Sequence, residues 1–303
     1  MTASVTTADE LRQRLGRFGI FAVPARMRMD PAALARAIER AGFASAWIGG
    51  GNAGPADFEV LDTMLTVTER LVVATGIVNI WAWPPAQLKK AAAGVEARFP
   101  GRFILGLGVS HQPVVEGLGH AYERPLAKME KFLDELDHPA EHGADEALPP
   151  VVLAALGPKM LKLSADRTLG AHPYFTVPGH TAQARAILGP GPLLVPEIAG
   201  ALAAGDAGLA AVRPYAQRYL QLPNYVNNLR RLGGFSEDDV SGHGSDKLLA
   251  AITPHGTRAL LAGVRAHLDA GADHVVIQPL AEGGGFALTD LEPLAAAVAS
   301  LGD

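Results

Sequence analysis

Cysteine is absent from the chain. Disulfides, thiol nucleophiles and Cys-ligated zinc or iron–sulfur clusters are therefore excluded. Long apolar runs are also lacking. The nearest, Ala199 to Ala211, is broken by Gly200, Gly205, Asp206 and Gly208, well short of the roughly 18 residues of a membrane span. Positive charge is in deficit, 26 Lys and Arg against 31 Asp and Glu. That argues against a protein built mainly to bind nucleic acid or anionic lipid, but leaves room for a local basic site. Aromatics are few, at 6%. The first 15 residues hold no signal-peptide core, and Thr7-Ala8-Asp9-Glu10 fits a helix capping box. The expectation is a soluble cytoplasmic protein with no nucleic-acid or membrane partner.

What the chain does have is apolar residues (49%), 34 glycines and 22 prolines spread along 303 positions. That mixture suggests many short elements joined by tight turns. Phe18 to Val23 is a continuous apolar run stopped by Pro24, which reads as a strand buried on both faces. Asp30-Pro31 is a helix start, Leu34, Ala37, Ile38 and Ala41 fall at helical spacing, and Gly42 is a stop. Ala44 to Ile48 is a second buried strand. Strand, helix and strand in about 30 residues make one βαβ unit.

The alternation repeats, with strands expected at 71–78, 102–107, 149–155, 171–177, 193–198 and 274–278. Helices are expected at 57–69, 84–99, 125–136, 158–167, 181–188, 206–232 (broken at Pro223), 253–270 and 291–301. Polar loops are expected at 138–149, which carries His138 and His142, and at 242–246. Eight strands, each followed by helix, in this length predict an α/β (β/α)8 TIM barrel. The chain then forms one barrel over residues 1–303, with short insertions near 111–124, 138–149 and 220–255. An open doubly wound sheet is the structural alternative, but Val23-Pro24-Ala25-Arg26 has no glycine fingerprint after the first strand.

A barrel carries its active site at the C-terminal ends of its strands. In strand order those ends hold Pro24 and Arg26; Gly49 to Asn52; Asn79, Trp81 and Trp83; Gly108, Ser110, His111 and Gln112; Leu156, Gly157 and Lys159; His172, Tyr174 and Thr176; Glu197; and Gln278 and Glu282. No carboxylate pair suits glycoside chemistry, no short His spacing suits a metal, and Gly-x-Ser-x-Gly is absent. Glycines, aromatics and neutral polar groups instead suit a flat aromatic ligand approached by backbone. Asn79 is a candidate for the ligand's edge, and Gly108 for close approach. Trp81, Trp83, His172 and Tyr174 are candidate pocket walls, with plain packing as the alternative for each. Gly157-Pro158-Lys159-Met160 places free N–H groups and a lysine at a helix start, which is an anion site or simply a turn. His111 is a candidate proton donor, because an imidazole exchanges protons near neutral pH; a loop histidine is the plain alternative.

Several segments in order resemble the bacterial-luciferase-like flavin and deazaflavin enzymes. They are the first strand ending at Pro24, Ala44 to Ile48, Ala74-Thr75-Gly76-Ile77, Gly101 to His111, and Leu156-Gly157-Pro158-Lys159-Met160-Leu161. Gly170-Ala171-His172-Pro173-Tyr174 resembles the branch that uses the deazaflavin coenzyme F-420. The resemblance implies the (β/α)8 fold, a non-proline cis peptide at Gly76-Ile77 behind the coenzyme ring, and a phosphate-binding turn from Gly157 to Met160 beside Leu156. It also implies a homodimer. It places His111 where some deazaflavin dehydrogenases carry an acidic proton donor, and Gly51 where many relatives carry a histidine. Arg26, Lys159, Lys162 and Arg185 are basic candidates for the coenzyme's anionic tail, and no metal is implied. The expected activity is hydride transfer between F-420 and a small organic substrate. The alternatives are an FMN-dependent monooxygenase and a barrel that binds a flavin without turnover.

Overall fold

The computed structural model describes residues 7–50, 55–137, 147–283 and 285–302. Gly51, Asn52, His138 and His142 lie outside them. The strands are β1 (Phe18–Ala22), β2 (Ser45–Ile48), β3 (Val72–Thr75), β4 (Val78–Asn79), β5 (Phe103–Gly108), β6 (Val151–Leu153), β7 (Gly170–Ala171), β8 (Leu193–Leu194), β9 (Glu197–Ala201) and β10 (Val275–Leu280). All pair in parallel, in the order β8-β7-β6-β5-β3-β2-β1-β10-β9, with β4 also on β5.

Ten strands make eight staves. β3 and β4 are one stave interrupted by the cis peptide Gly76-Ile77, and both halves pair with β5. β8 and β9 are likewise one stave, joined by Val195 and Pro196. The Val195 N–H donates to the Ala171 carbonyl (2.9 Å) and the Val276 N–H to the Pro196 carbonyl (3.0 Å). That stave thus bonds to β7 on one side and β10 on the other, which closes the barrel.

Period-two alternation explains the unbroken apolar strands. Phe21, Trp47, Val72, Ala74, Ile104, Val152 and Val276 fill the barrel interior. Ile20, Ala46, Val73, Phe103, Leu105, Leu153 and Ile277 pack outward under the helices. The helices in chain order are α1 (Ala8–Leu15), α2 (Pro24–Met27), α3 (Pro31–Ala41), α4 (Pro55–Thr66), α5 (Pro85–Arg98), α6 (Gln112–Gly117) and α7 (Pro125–Asp137). They continue with α8 (Pro158–Arg167), α9 (Pro178–Leu188), α10 (Gly205–Leu220), α11 (Pro223–Gly233), α12 (Asp246–Ile252), α13 (Thr257–Asp269) and α14 (Leu291–Ala299).

Helix α1 starts in the expected capping box, with Thr7 and Glu10 bonding each other's backbone N–H. Its Leu11 and Leu15 join the interior cluster and plug the N-terminal end of the barrel. Asp30 caps α3 at Ala33 N–H (3.0 Å), and Gly42 ends it at φ +93°. A left-handed φ of that size is open to glycine at no steric cost.

Two expectations need correction. The sixth stave is only Gly170–Ala171, not 171–177, because Phe175 sits at φ +55° and the segment turns over the mouth. The expected helix at 253–270 starts at Thr257; Pro254 and Gly256 (φ +91°) separate it from α12. The loop expected at 242–246 is present through Ser245 and leads into α12, whose Leu248 N–H is capped by the Ser245 hydroxyl (3.1 Å). No helix among the described residues is long and apolar enough to cross a membrane.

Candidate active site

The mouth of the barrel has two sides. On the first, β3, β4, β5 and β6 bring together the cis peptide, Asn79, Gly108 and the turn into α8. A side chain at Gly108 would meet Ile77 Cδ1 at 2.5 Å and Ala154 Cβ at 3.2 Å. The glycine is therefore filled by the Ile77 side chain and is not open to a ligand ring, which corrects its expected role. Ile77 instead presents the surface, and the space at Gly108 seats it. Gly106 is tighter, since a Cβ there would fall 2.0 Å from the Thr75 carbonyl oxygen. Asn79 is fully buried. Its Oδ1 accepts the Trp81 N–H (3.1 Å), while its Nδ2 has no partner. A buried amide left unpaired costs about 1–3 kcal/mol, so that N–H₂ points to a missing acceptor.

Ala154 leads directly to Leu156 and Gly157, the N-cap of α8. No side chain caps this helix, and nothing stands within 4 Å of the position a Gly157 Cβ would take. The first bond of the turn is from Leu161 N–H to Gly157 carbonyl (3.0 Å), which leaves the Lys159 and Met160 N–H groups free as donors. Lys159 is exposed beside them. Two of the other basic candidates, Lys162 and Arg185, are engaged elsewhere. Lys162 pairs with Asp166. Arg185 is held by Asp273 (2.5 Å) and the carbonyls of Gly271, Gly189 and Pro192, just ahead of β10 at the N-terminal end of the barrel. Both are structural.

On the second side, β7, β9, β10, α10 and α11 gather four of the five tyrosines. Tyr174 is the hub: its hydroxyl donates to Gln278 Oε1 (2.8 Å), shares a bond with the Tyr219 hydroxyl (3.0 Å) and accepts one from Tyr215 (2.9 Å). The Tyr215 hydroxyl also lies 3.2 Å from Glu197 Oε1, and the Phe175 N–H donates to Glu197 Oε2 (3.3 Å). Glu197 is 1% exposed. Burial raises its pKa to about 8 against those two donors, so it carries a proton at neutral pH. Burial also raises Tyr174, Tyr215 and Tyr225 well above the usual phenol value. Tyr225 packs on Tyr219 at 5.5 Å and Phe175 at 5.4 Å.

His111 joins this side. Its ring lies 5.2 Å from Tyr225, and its Nδ1 is 3.2 Å from Asn224 Oδ1 at the start of α11. Burial lowers its pKa, with the Asn224 bond opposing. His172 is buried against Trp47 (4.4 Å between rings) with Nδ1 on the Val195 carbonyl (2.7 Å). Burial brings it to about 4, so it stays neutral inside the barrel, and its Nε2 is unpartnered. Trp81 is half-buried, its indole N–H on the Val109 carbonyl (3.0 Å) and Lys128 5.2 Å over its ring. Trp83 is 8% exposed and meets Phe58 of α4 edge-on at 5.4 Å. It belongs to the outer core, not to a pocket wall.

Sequence reasoning placed Glu197 at a strand end but gave it no role, and it missed Tyr215, Tyr219 and Tyr225. Tyr215 and Tyr219 are four apart on α10, so they share one helix face; that spacing was the available signal. Among the described residues no group of three His, Asp or Glu could hold a metal.

Comparison with known proteins fits this architecture. Residues 18–189 match the model of the luciferase-like monooxygenase family. A 5,10-methylenetetrahydromethanopterin reductase of Archaeoglobus fulgidus is 23% identical over 167 residues, 50% of each chain. A putative coenzyme F-420-dependent oxidoreductase of Mycobacterium tuberculosis is 34% identical over 109 residues, 34% of this chain and 30% of that one. The chain thus spans about half or less of the length of the curated relatives it matches. The F-420-dependent tetrahydromethanopterin reductase structure from Methanopyrus kandleri superposes with a TM-score of 0.76 at 16% identity, covering 95% of this chain and 99% of that one. At that identity the likeness carries the fold, a TIM barrel. With its family match running from the first stave into α9, this chain belongs to the luciferase-like monooxygenase family.

Proposed function

We propose that this chain is an oxidoreductase that binds the deazaflavin coenzyme F-420 and moves hydride between it and a small organic substrate. One observation carries the reading. The Ile77 surface and the uncapped start of α8 lie on neighbouring staves, joined across Gly108 by Ile77 on one side and Ala154 on the other. A flat ring against Ile77 and a phosphate on the Lys159 and Met160 N–H groups is what that juxtaposition suits. The unpaired Asn79 Nδ2 supplies a donor for the ring's polar edge. The relatives that name F-420 or a methanopterin reductase point the same way.

The coenzyme, when bound, supplies the hydride chemistry. The chain's own part is to position and to handle the proton. Lys159 balances the tail's negative charge. Tyr174 and His111, on the facing side, are the groups that deliver or take a proton, and the Tyr215–Glu197 pair holds Tyr174 in place. Trp81 walls the entrance. The resemblance supports a homodimer as the working form. The family's description supports a second reading, an FMN-dependent monooxygenase; it predicts oxygen consumption with reduced FMN.

The test is turnover with F-420 against a panel of alcohols, imines, enones and nitro compounds, followed by the deazaflavin's visible absorbance. A substrate-dependent change that is lost in Tyr174→Phe supports the assignment. F-420 binding with no redox change on any class supports a barrel that only binds.

A further inference from the structure

Between β1, β10 and α10 the barrel mouth encloses a cavity of about 220 Å3. It is not the space behind the cis peptide, yet the two are adjacent. Phe21 lines the cavity, and the same ring would lie within 2.7 Å of a Cβ at Gly49 or Gly76. One aromatic ring therefore separates the cavity from the Gly76-Ile77 bulge.

The lining is chiefly apolar, including Phe21, Met27, Pro214 and Phe286. Against it stand two arginines, Arg26 of α2 and Arg218 of α10. Both are exposed, and neither has an ion pair or hydrogen bond among the described residues. Arg12, Arg167 and Arg185, by contrast, meet carboxylates at 2.5–2.9 Å. Arg26 and Arg218 thus line one cavity from two different elements. Glu197, behind the lining residue Tyr215, is buried and protonated at neutral pH, so it adds no negative charge there.

We propose that this cavity binds the carboxylate end of a small organic acid, with Arg26 and Arg218 gripping the carboxylate and Phe21, Met27 and Phe286 enclosing its apolar body. Guanidinium forks match a carboxylate in two-bond geometry. On its α10 side the cavity is lined by Ala210 to Arg218, beyond the first turn of that helix, so α10 turns no free N–H groups toward it. A cavity of about 150 Å3 holds benzene, so this one takes a single ring or short chain plus its acid group. As a substrate site it rests on the hydride-transfer reading; as an acid-binding site it does not. It would set the acid's body against Phe21, beside the proposed coenzyme ring.

The experiment is calorimetric titration of the full chain, without coenzyme, with 3-phenylpropionate, benzoate and hexanoate, and with 3-phenylpropanamide as the neutral control. At least one acid binds, and 3-phenylpropionate binds about tenfold or more tighter than its amide. Arg218→Gln and Arg26→Gln each weaken the acid about tenfold and leave the amide unchanged, with melting curves matching the parent. A second titration uses F-420 and its ring lacking the phosphate-bearing tail. Neither changes in Arg218→Gln. The proposal is overturned if no acid binds, if acid and amide bind alike, or if the arginine variants leave the acid unaffected. It is overturned too if Arg218→Gln weakens F-420 but not the tail-less ring, which would give the pair to the coenzyme's tail. Acid binding is read without coenzyme, so its failure leaves the F-420 reading standing. Loss of F-420 binding likewise leaves the acid site standing.

Discussion

On the β3 to β6 side of the barrel mouth the surface is made by backbone and small residues. Glycines at 106 and 108 let Ile77 settle over β5, and α8 opens with uncapped N–H groups at Gly157. On the β7 to β10 side the surface is made by side-chain hydroxyls. Tyr174, Tyr215 and Tyr219 surround Gln278 and lead to a buried Glu197. On the proposed reading the first side receives a rigid ring and an anion; it has little to titrate. The second is built around groups whose protons are held by burial. A hydride-transfer enzyme needs both, and on the proposed reading the two tasks fall to opposite halves of one mouth.

The largest effect that separates the halves is the pH dependence of stability. Glu197 has a folded pKa of about 8 against an ordinary 4.5. The folded state therefore holds a proton that the unfolded chain releases, and stability falls as pH rises between those values. The expected loss is on the order of 3–5 kcal/mol, and Glu197→Gln flattens that limb in urea titrations at pH 5 to 8.5. His172, His267 and His274 have the opposite sign. Burial brings each to about 4, so their stability is complete above about 6.5 and is lost as pH falls toward 4. An alkaline limb that survives in Glu197→Gln would remove the carboxyl from the account.

The next effect breaks the other half. Gly106→Ala puts a methyl group 2.0 Å from the Thr75 carbonyl oxygen and costs about 3 kcal/mol in chemical denaturation. Gly157→Ala, with open space around it, costs less than about 1 kcal/mol. Tyr215→Phe is smaller than Gly106→Ala. It removes the hydroxyl that bridges Glu197 and Tyr174 and costs about 1–2 kcal/mol, with a shifted pH profile for turnover. Lys159→Ala is the mildest, with unchanged melting temperature and about tenfold weaker F-420 binding. The tail-less ring binds it as before. Equal weakening of both would move Lys159 from the tail to the ring.

The two halves also differ in how far they can be read from sequence. The backbone half is legible because its features are local. An apolar run, and Gly157-Pro158 after a strand, carry their meaning within a few residues, whereas the cis peptide at Gly76-Ile77 is implied only by the family resemblance. Even there Gly108 misleads, since only the packed structure shows that Ile77 fills the space. The staves are legible because both faces are buried, which makes each a continuous apolar word. The hydroxyl half is not legible. Tyr174, Tyr215, Tyr225 and Glu197 meet through tertiary packing of α10 and α11 over β9, and no sequence spacing joins them except the four-residue step from Tyr215 to Tyr219. Trp83 reads the same as Trp81 in sequence. The structure separates them by Phe58, which draws Trp83 into the outer core.

The most direct test of the central claim is a fluorescence titration of the purified chain with F-420 and, separately, with FMN, run on parent and Lys159→Ala protein. The account predicts saturable F-420 binding that weakens in the variant, and FMN binding at least about tenfold weaker than that of F-420. Tight FMN binding with no F-420 binding would contradict it.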